Sequence, residues 1–318
     1  MGRDGANLCK RMPLVVGRQG GDSLADYVRT NLHLLEEQLL RHGAVLFRGY
    51  GITTISAFDA VIGALGSSTR LDYVYRSTPR KALGDRIFTA SEYPPSEEIP
   101  LHNENAYQRQ WPSKLAFCCL QPAAQGGETT IADMLQVTAL IDREVLNAFA
   151  ARGVEYIRHY RPYIDLSWQS VFNVTDRSEL EHYCAENDIA CEWMNQETLR
   201  TSQKCHGVAT HPQTSSRIFF NQAHLFHVSS LPESAATSLI ETFGLSQLPR
   251  HARFGDAAEI PGDFLTNIRD AFAASSVDIK WESGDVLFLD NMLCAHGRRS
   301  YKGKRELLAC LLGPTVSA

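Results

Sequence analysis

The sequence lacks the features of several broad protein classes. No apolar run approaches the length of a membrane-spanning helix, and the N-terminal segment Met1–Leu8 lacks the apolar core of a signal peptide. Lysine and arginine number 31 against 36 aspartate and glutamate residues, giving a net charge of −5 without any basic run. We therefore expect a cytosolic protein that binds neither nucleic acid nor membranes.

Cysteine motifs for metal binding are also missing. No Cys-x-x-Cys pair occurs, so a structural zinc site is not indicated. A chain of 318 residues can bury a large core without the help of disulfides. We expect reduced, mostly buried thiols at all eight cysteines, which are Cys9, Cys118, Cys119, Cys184, Cys191, Cys205, Cys294 and Cys310.

The chain also has no internal repeat, no low-complexity tract and no linker, which predicts one domain over residues 1–318. Many short strand candidates are separated by turn signals and accompanied by helices. This pattern predicts a mainly β fold with flanking α-helices, built on a double-stranded β-helix (jelly roll) core. A helical and loop-rich insert is expected at about residues 135–275.

Apolar periodicity locates the main elements of this fold. Helices are predicted at 22–42, 55–65, 135–151, 178–186, 232–243 and 262–273. The clearest strands are predicted at 44–47, 115–120, 128–133, 154–160, 277–281, 286–290 and 306–312.

One short stretch, Ile99–Asn105, is the first candidate for chemistry. His102 and Glu104 are two residues apart, so on an extended segment their side chains point to the same side. An imidazole and a carboxylate placed in this way can bind one metal ion together. Chance alone produces about one His-x-[Asp/Glu] in this composition, so a structural histidine beside an exposed glutamate is the alternative.

Three distant residues complete the candidate site. His296 follows a buried strand and precedes Gly297, and two histidines with one carboxylate make the facial triad of non-haem Fe(II) oxygenases. Arg305 starts the last strand, where a guanidinium suits a two-point grip on a dicarboxylate co-substrate, and Thr129 offers a hydroxyl to the same carboxylate. Each residue alone has an ordinary alternative, a structural histidine or a surface ion pair.

The order of these motifs resembles a known superfamily. The run Gly284–Arg305, which contains His296-Gly297, is similar to the C-terminal motif of taurine dioxygenase and clavaminate synthase-like proteins, which are Fe(II)/2-oxoglutarate-dependent oxygenases. Leu101–Glu104 and Pro122–Thr129 match two further elements of that superfamily, and the resemblance covers roughly residues 40–313. Similarity to the syringomycin-type hydroxylase branch rests on Ser167–Phe172, Cys191–Trp193, His211-Pro212 and Phe220–His227.

The resemblance implies the cofactors and the reaction. His102, Glu104 and His296 would bind Fe(II), Arg305 with Thr129 would bind 2-oxoglutarate, and O₂ would be the second co-substrate. Hydroxylation of an amino acid or an amino-acid-derived intermediate of natural-product biosynthesis is the default expectation. A desaturase or an oxidative cyclase would use the same residues, and a catalytically silent jelly-roll binding protein is the alternative outside the enzymes. Halogenation is disfavoured, because related halogenases replace the carboxylate that Glu104 supplies.

The substrate is much less constrained by the sequence. Tyr107, Trp111, Asn221 and His224 are candidates for the substrate pocket, and each is equally compatible with a role in the scaffold. Many relatives have a second arginine four residues after the co-substrate arginine, where this chain has Ala309. Either another cation such as Arg161 replaces it, or the substrate has no free carboxylate because it is tethered to a carrier protein. No motif indicates an oligomeric state.

Overall fold

The computed structural model describes residues 12–18, 20–66, 70–75, 77–78, 80–90, 92–162 and 164–316, with only the backbone of Val316. Cys9 and the segment Met1–Leu8 lie outside this part of the chain. The α-helices within it are α1 (Leu24–Thr30), α2 (Leu32–His42), α3 (Ile55–Gly63), α4 (Met134–Leu140), α5 (Arg143–Arg152), α6 (Trp168–Phe172), α7 (Arg177–Glu186), α8 (Ala223–Phe226), α9 (Glu233–Phe243) and α10 (Gly262–Ala274). None of these helices has the length and apolar character needed to cross a bilayer.

Strands alternate with these helices in the described part of the chain, and most of the strands are short. In chain order they are β1 (Leu14–Gly17), β2 (Ala44–Arg48), β3 (Phe88–Thr89), β4 (Ile99–His102), β5 (Gln110–Gln121), β6 (Gln125–Gly126), β7 (Thr129–Asp133), β8 (Val154–Tyr160), β9 (Ala190–Trp193), β10 (Leu199–Cys205), β11 (Val208–Thr210), β12 (Arg217–Phe219), β13 (Arg250–Phe254), β14 (Ser276–Ile279), β15 (Val286–Asp290), β16 (Cys294–Arg298), β17 (Tyr301–Lys302) and β18 (Glu306–Val316).

Two sheets share the core that carries the candidate site. One has six strands in the order β1-β2-β15-β5-β18-β3, and the other has four in the order β14-β7-β16-β4. Leu46, Phe117 and Leu287 of the first sheet join Ile131 and Cys294 of the second in one buried apolar cluster. The fold is therefore mixed helix and sheet, with apolar side chains between these two sheets.

Strand β15 shows why its sequence is apolar throughout. Val286 and Phe288 pack with helices α1–α3 on one face of the six-stranded sheet. Leu287 and Leu289 point to the other face, into the cluster shared with the second sheet. Because successive side chains of a strand alternate between two covered faces, no position of β15 tolerates a polar residue before Asp290.

The segment between β7 and β14 contains a sheet as well as helices and loops. This sheet has four antiparallel strands in the order β13-β8-β10-β9, and β11 pairs with β12 beside it. Its core includes Phe149, Tyr156 and Phe254, which are buried together with residues of helices α4, α5 and α10. Strand β8 has the bounds that the sequence predicts, Val154–Tyr160.

Two predicted helices are each divided in the structure. The helix predicted at 22–42 is interrupted at Asn31, whose side-chain amide donates to the carbonyl of Tyr27 at 2.9 Å. The helix predicted at 135–151 is interrupted at Ile141, which has extended backbone angles. An asparagine that bonds to a local carbonyl competes with helix continuation, and the apolar stripe alone does not report this.

The turn before β15 depends on an ion pair between buried Asp285 and partly exposed Arg48. Asp285 is fully buried, and Arg48 on β2 donates to it from Nε at 3.1 Å and from Nη2 at 2.7 Å. Asp285 also accepts from the backbone amide of Glu282 at 2.9 Å, which closes the turn. The pair therefore joins two neighbouring strands of the six-stranded sheet at their ends.

We predict that Arg48→Met lowers the free energy of unfolding by about 2–4 kcal/mol, because it leaves the Asp285 carboxylate buried and unpaired. The exposed pair of Arg29 with Asp26 provides the control, and Arg29→Met should change stability by less than about 0.5 kcal/mol. Urea unfolding followed by circular dichroism measures both. Equal stability of the two variants would contradict the role given to Asp285.

Candidate active site

Two histidines that are far apart in the sequence face each other across a strand pair. In the antiparallel pairing of β4 with β16, His102 lies directly opposite His296. Directly opposed residues place their side chains on the same face, and the two rings have centroids 4.5 Å apart. Gly297 permits this approach, because a Cβ there would lie 2.6 Å from the carbonyl oxygen of Ile99.

Glu104 reaches the same point from a turn beyond the end of β4, where Asn105 has a φ of 57°. The buried side chain of Asn291 holds this turn. Its Oδ1 accepts from the Glu104 amide at 2.8 Å, and its Nδ2 donates to the Glu104 carbonyl at 2.9 Å. Strand alternation alone therefore does not place the carboxylate. In the sequence, the only sign of this role for Asn291 is its position directly after a buried strand.

The geometry of the three side chains fits a divalent metal ion. Their potential ligand atoms all lie within 4.8 Å of one another, and His296 Nε2 is 3.6 Å from Glu104 Oε2. Two ligands about 2.1 Å from one ion and at right angles are about 3 Å apart, so small adjustments suffice. His102 Nδ1 donates to the Pro100 carbonyl at 2.8 Å, which leaves the lone pair on Nε2 for a metal.

The protonation states also suit metal binding. Burial alone would raise the pKa of Glu104, but the Arg80 guanidinium and the neighbouring histidines hold that pKa well below its usual range. Burial, together with repulsion from His296, lowers the pKa of His102 to about 4. At neutral pH the carboxylate is therefore ionised and the His102 imidazole is neutral, which are the forms that bind a metal.

A cavity next to these ligands contains a free guanidinium. We call it the ligand cavity; its lining includes Arg80, His102, Phe117, Thr129, His296 and Arg305. Arg305 Nε donates to the Gly127 carbonyl at 2.9 Å, and no carboxylate in the described part of the chain pairs with Arg305. Burial lowers its pKa to about 10, so it remains a cation at neutral pH. Thr129 Oγ1 accepts from Trp281 Nε1 at 2.9 Å, which leaves the hydroxyl proton available to an anion.

Gly127 allows Arg305 to lie in this position. It has a φ of 75°, and a Cβ at this residue would approach the Arg305 Cδ to 3.1 Å. The glycine at this position of the Gly-Gly turn before Thr129 is therefore explained by sterics, since a side chain there would displace the Arg305 guanidinium.

The neighbouring arginines are already engaged. Arg298 donates to three backbone carbonyls within residues 93–97, at 2.7–3.0 Å. Arg299 pairs with the carboxylates of Asp278 and Glu98. Neither guanidinium is as available as that of Arg305 to a dicarboxylate.

Arg80, which no sequence motif indicates, also lines the ligand cavity. Its Nη2 is 2.7 Å from Glu104 Oε2, and its guanidinium lies over the ring of Tyr73 with the Cζ 4.3 Å from the ring centroid. It lies in the loop-rich segment between α3 and β3, where no periodicity marks it.

The four residues suggested for the substrate pocket do not line the ligand cavity. Tyr107 donates its hydroxyl to the Tyr75 carbonyl at 2.7 Å within an aromatic cluster. Trp111 packs against the ring of His206, with centroids 5.0 Å apart. Asn221 donates to the Gly207 carbonyl at 2.7 Å. Their assignment to the substrate pocket stays a prediction.

His224 supports the strand that carries His102. It is buried, its Nε2 donates to the Leu101 carbonyl at 3.1 Å, and its ring stacks on Phe272. Arg161, suggested as a substitute for the missing cation at 309, lies over the ring of Phe243 and is also outside the ligand cavity.

A second group of potential ligands is formed by His227, His251 and Glu259. The Ser229 backbone amide donates to His227 Nδ1 at 3.1 Å, so the ring proton is on Nε2. His251 Nε2 donates to Glu259 at 2.9 Å. Both Nε2 atoms therefore carry protons. We interpret the group as a hydrogen-bonded cluster of side chains.

Cavity volume does not identify the candidate site. A cavity of about 560 Å³ lies elsewhere, against Arg109, Glu186 and Lys204, whereas the ligand cavity measures about 40 Å³. None of the three potential ligands lines the larger cavity. The arrangement of donors is the stronger argument, because the ligand cavity combines atoms of two potential metal ligands with a cation that has no carboxylate partner among the described residues.

Comparison with known proteins agrees with this chemistry. The family model described as "Taurine catabolism dioxygenase TauD, TfdA family" matches residues 9–311. The chain is 39% identical to the dapdiamide synthesis protein DdaC of Enterobacter agglomerans, over 89% of this chain and 85% of that protein. It is 29% identical to the clavaminate synthase-like protein At3g21360 of Arabidopsis thaliana, over 89% of this chain and 86% of that protein.

A solved structure has a similar fold. PvcB, described as an Fe, alpha-ketoglutarate dependent oxygenase from an isonitrile synthetic pathway, superposes with a TM-score of 0.55 at 16% identity. The match covers 94% of this chain and 84% of PvcB.

We predict that Asn291→Ala weakens Mn(II) or Fe(II) binding by about tenfold to a hundredfold, because the turn that positions Glu104 loses its hydrogen bonds. Equilibrium metal titration measures the affinity, and urea unfolding shows whether the variant remains folded. Asn173→Ala, at a helix end away from the site, is the matched control. Unchanged metal affinity in folded Asn291→Ala would contradict this role.

Proposed function

The chain belongs to the taurine catabolism dioxygenase TauD, TfdA family, and on this premise we propose that it hydroxylates an amino acid or an amino-acid-derived intermediate of natural-product biosynthesis. It is an enzyme that depends on iron(II), 2-oxoglutarate and O₂. The relative named for dapdiamide synthesis supports a biosynthetic role. A free substrate and one tethered to a carrier protein are both compatible with the family.

One observation carries the proposal: His102, Glu104 and His296 converge beside a cavity that also contains Arg305 and Thr129. We assign the first three residues to iron and the last two to 2-oxoglutarate. When bound, iron and 2-oxoglutarate supply the oxidant through O₂-dependent decarboxylation to succinate. The intact set of residues disfavours a catalytically silent binding protein.

The protein itself would bind and orient the co-substrate. The Arg305 guanidinium offers N–H donors to the distal carboxylate of 2-oxoglutarate, and the Thr129 hydroxyl donates to the same group. Phe117 and Leu307 give the ligand cavity an apolar wall that excludes water from the reacting groups. The carboxylate of Glu104 leaves no place for a halide at the third ligand position, which favours hydroxylation.

Desaturation and oxidative cyclisation remain the alternative reactions. They require the same iron and co-substrate residues, and differ in where the substrate C–H bonds lie relative to the metal. No contact in the ligand cavity favours either of them over hydroxylation.

The same proposal includes the finer features of the fold. The two sheets that share the cluster of Leu46, Phe117, Leu287, Ile131 and Cys294 would form a double-stranded β-helix. A single domain over residues 1–318, interrupted by the insert between β7 and β14, is consistent with this arrangement. The free thiols at all seven described cysteines support a reducing, cytosolic compartment.

We predict that His296→Ala lowers Fe(II) affinity at least about a hundredfold and abolishes oxygen consumption dependent on 2-oxoglutarate, because two ligands do not hold the facial geometry. Exposed His182, paired with Glu186, provides the control variant His182→Ala. The wild type should develop a weak visible charge-transfer band in anaerobic titration with Fe(II) and 2-oxoglutarate. Full activity of His296→Ala would show that the metal lies elsewhere.

A further prediction concerns the co-substrate. Arg305→Leu should raise the KM for 2-oxoglutarate by more than about a hundredfold, since losing one partner of a buried charge pair costs about 3–5 kcal/mol. Arg305→Lys should have a smaller effect, because an ammonium reproduces the charge without the planar fork. Arg299→Leu is the control and should leave this KM unchanged. A raised KM in Arg299→Leu together with an unchanged KM in Arg305→Leu would instead assign the co-substrate site to Arg299.

A further inference from the structure

Arg80 has more hydrogen-bonding capacity than its contacts use. Its side chain is 3% exposed and donates to Glu104 Oε2 from Nη2. Its Nε and Nη1 atoms are buried and have no hydrogen-bond partner. A buried guanidinium with unused donors is unfavourable unless a ligand completes its hydrogen bonds.

The charge balance of the ligand cavity indicates what that ligand is. Arg80, Arg298 and Arg305 line the cavity, and Glu104 adjoins it through its pair with Arg80. The three arginines outnumber the one carboxylate, so the cavity has an excess of positive charge. Iron(II) and the 2-oxoglutarate dianion cancel each other's charge, so their binding leaves this excess unchanged. Since a net buried charge is costly, an additional anion is expected in the loaded site.

Two of the three arginines have other tasks. Arg298 donates from both terminal nitrogens to three backbone carbonyls and keeps only Nε without a partner, and Arg305 is assigned to the distal carboxylate of 2-oxoglutarate. Arg80 is left, and it lies beside the carboxylate that would bind the metal. Ala309, where many relatives carry an arginine, is buried in the apolar cluster between the sheets and offers no charge.

We propose that Arg80 binds a carboxylate of the primary substrate through the donors that Glu104 leaves free, and thereby replaces the cation missing at position 309. The inference rests on the proposed function and narrows its substrate to one with a free carboxylate, such as an amino acid or an N-acylated amino acid. An aminoacyl thioester whose side chain has no carboxylate is excluded by this proposal, because its only carboxyl group is consumed in the link to the carrier.

The test uses binding in the absence of O₂, so that no turnover is required. The wild type, Arg80→Met, Arg80→Lys and the surface control Arg29→Met are loaded with Fe(II) and 2-oxoglutarate. Free amino acids and their N-acetyl derivatives are titrated in, beside the corresponding neutral carboxamides and aminoacyl thioesters on a carrier domain. The perturbation of the charge-transfer band reports substrate binding, and the band itself reports iron and 2-oxoglutarate.

We expect at least one acid to bind the wild type about tenfold to a hundredfold more tightly than its carboxamide. Arg80→Met should abolish this preference when Fe(II) and 2-oxoglutarate are raised to concentrations that give the full charge-transfer band, which offsets any weaker metal binding through Glu104. Arg80→Lys should keep part of the preference, because it retains the charge, and Arg29→Met should keep all of it. Urea unfolding confirms that the compared variants are folded.

Three results would overturn the inference. Loss of iron or 2-oxoglutarate binding in folded Arg80→Met, with the acid preference intact in the remaining loaded fraction, would make Arg80 only a positioning residue for Glu104. Binding of carrier thioesters that lack a side-chain carboxylate, without binding of any free acid, would show that no carboxylate is recognised. Absence of the charge-transfer band in the wild type would refute the proposed function itself, and the inference with it.

Discussion

The candidate site depends on one strand pairing, that of β4 with β16. Because His102 lies directly opposite His296, a single register brings together two imidazoles that are 194 residues apart in the chain. A shift of one residue would turn one ring to the opposite face of the sheet and separate the pair. Gly297 makes this register possible by letting the two backbones approach closely.

The third member of the site is held by different means. Glu104 lies beyond the strand, where no ladder of hydrogen bonds defines its position, and Asn291 supplies the missing bonds to its backbone. Asn291 itself follows β15, which is buried on both faces between helices and sheet. The rigidity of the six-stranded sheet is thereby transmitted to the carboxylate. The position of the Glu104 carboxylate therefore depends on the packing of the core.

Charge organises the rest of the cavity. Glu104 is the anion next to the metal-binding atoms, and its neighbour Arg80 keeps it ionised in spite of burial. Arg305 remains a cation without a carboxylate partner among the described residues. Such an arrangement is costly for an empty cavity and favourable for one that receives anions, which is the physical basis for assigning it to 2-oxoglutarate and to a carboxylate substrate.

The sequence by itself determined the elements and the chemical class. Alternating and continuous apolar runs predicted β15, and the ordered motifs around His102, Thr129, His296 and Arg305 indicated the cofactors that the family confirms. Residue type and spacing suffice for such features, since they depend on local geometry and on the intrinsic chemistry of side chains.

Only the tertiary structure decided which further side chains support or line the site. Asn31 and Ile141 divide helices whose apolar stripes are continuous, and Tyr107 proved to be packed in an aromatic cluster away from the ligand cavity. Asn291 and Arg80 act through contacts with Glu104 that join separate parts of the chain. Periodicity reports which face of an element is buried, but the partner of a buried polar group is chosen by the packing of distant segments, and no local pattern encodes that choice.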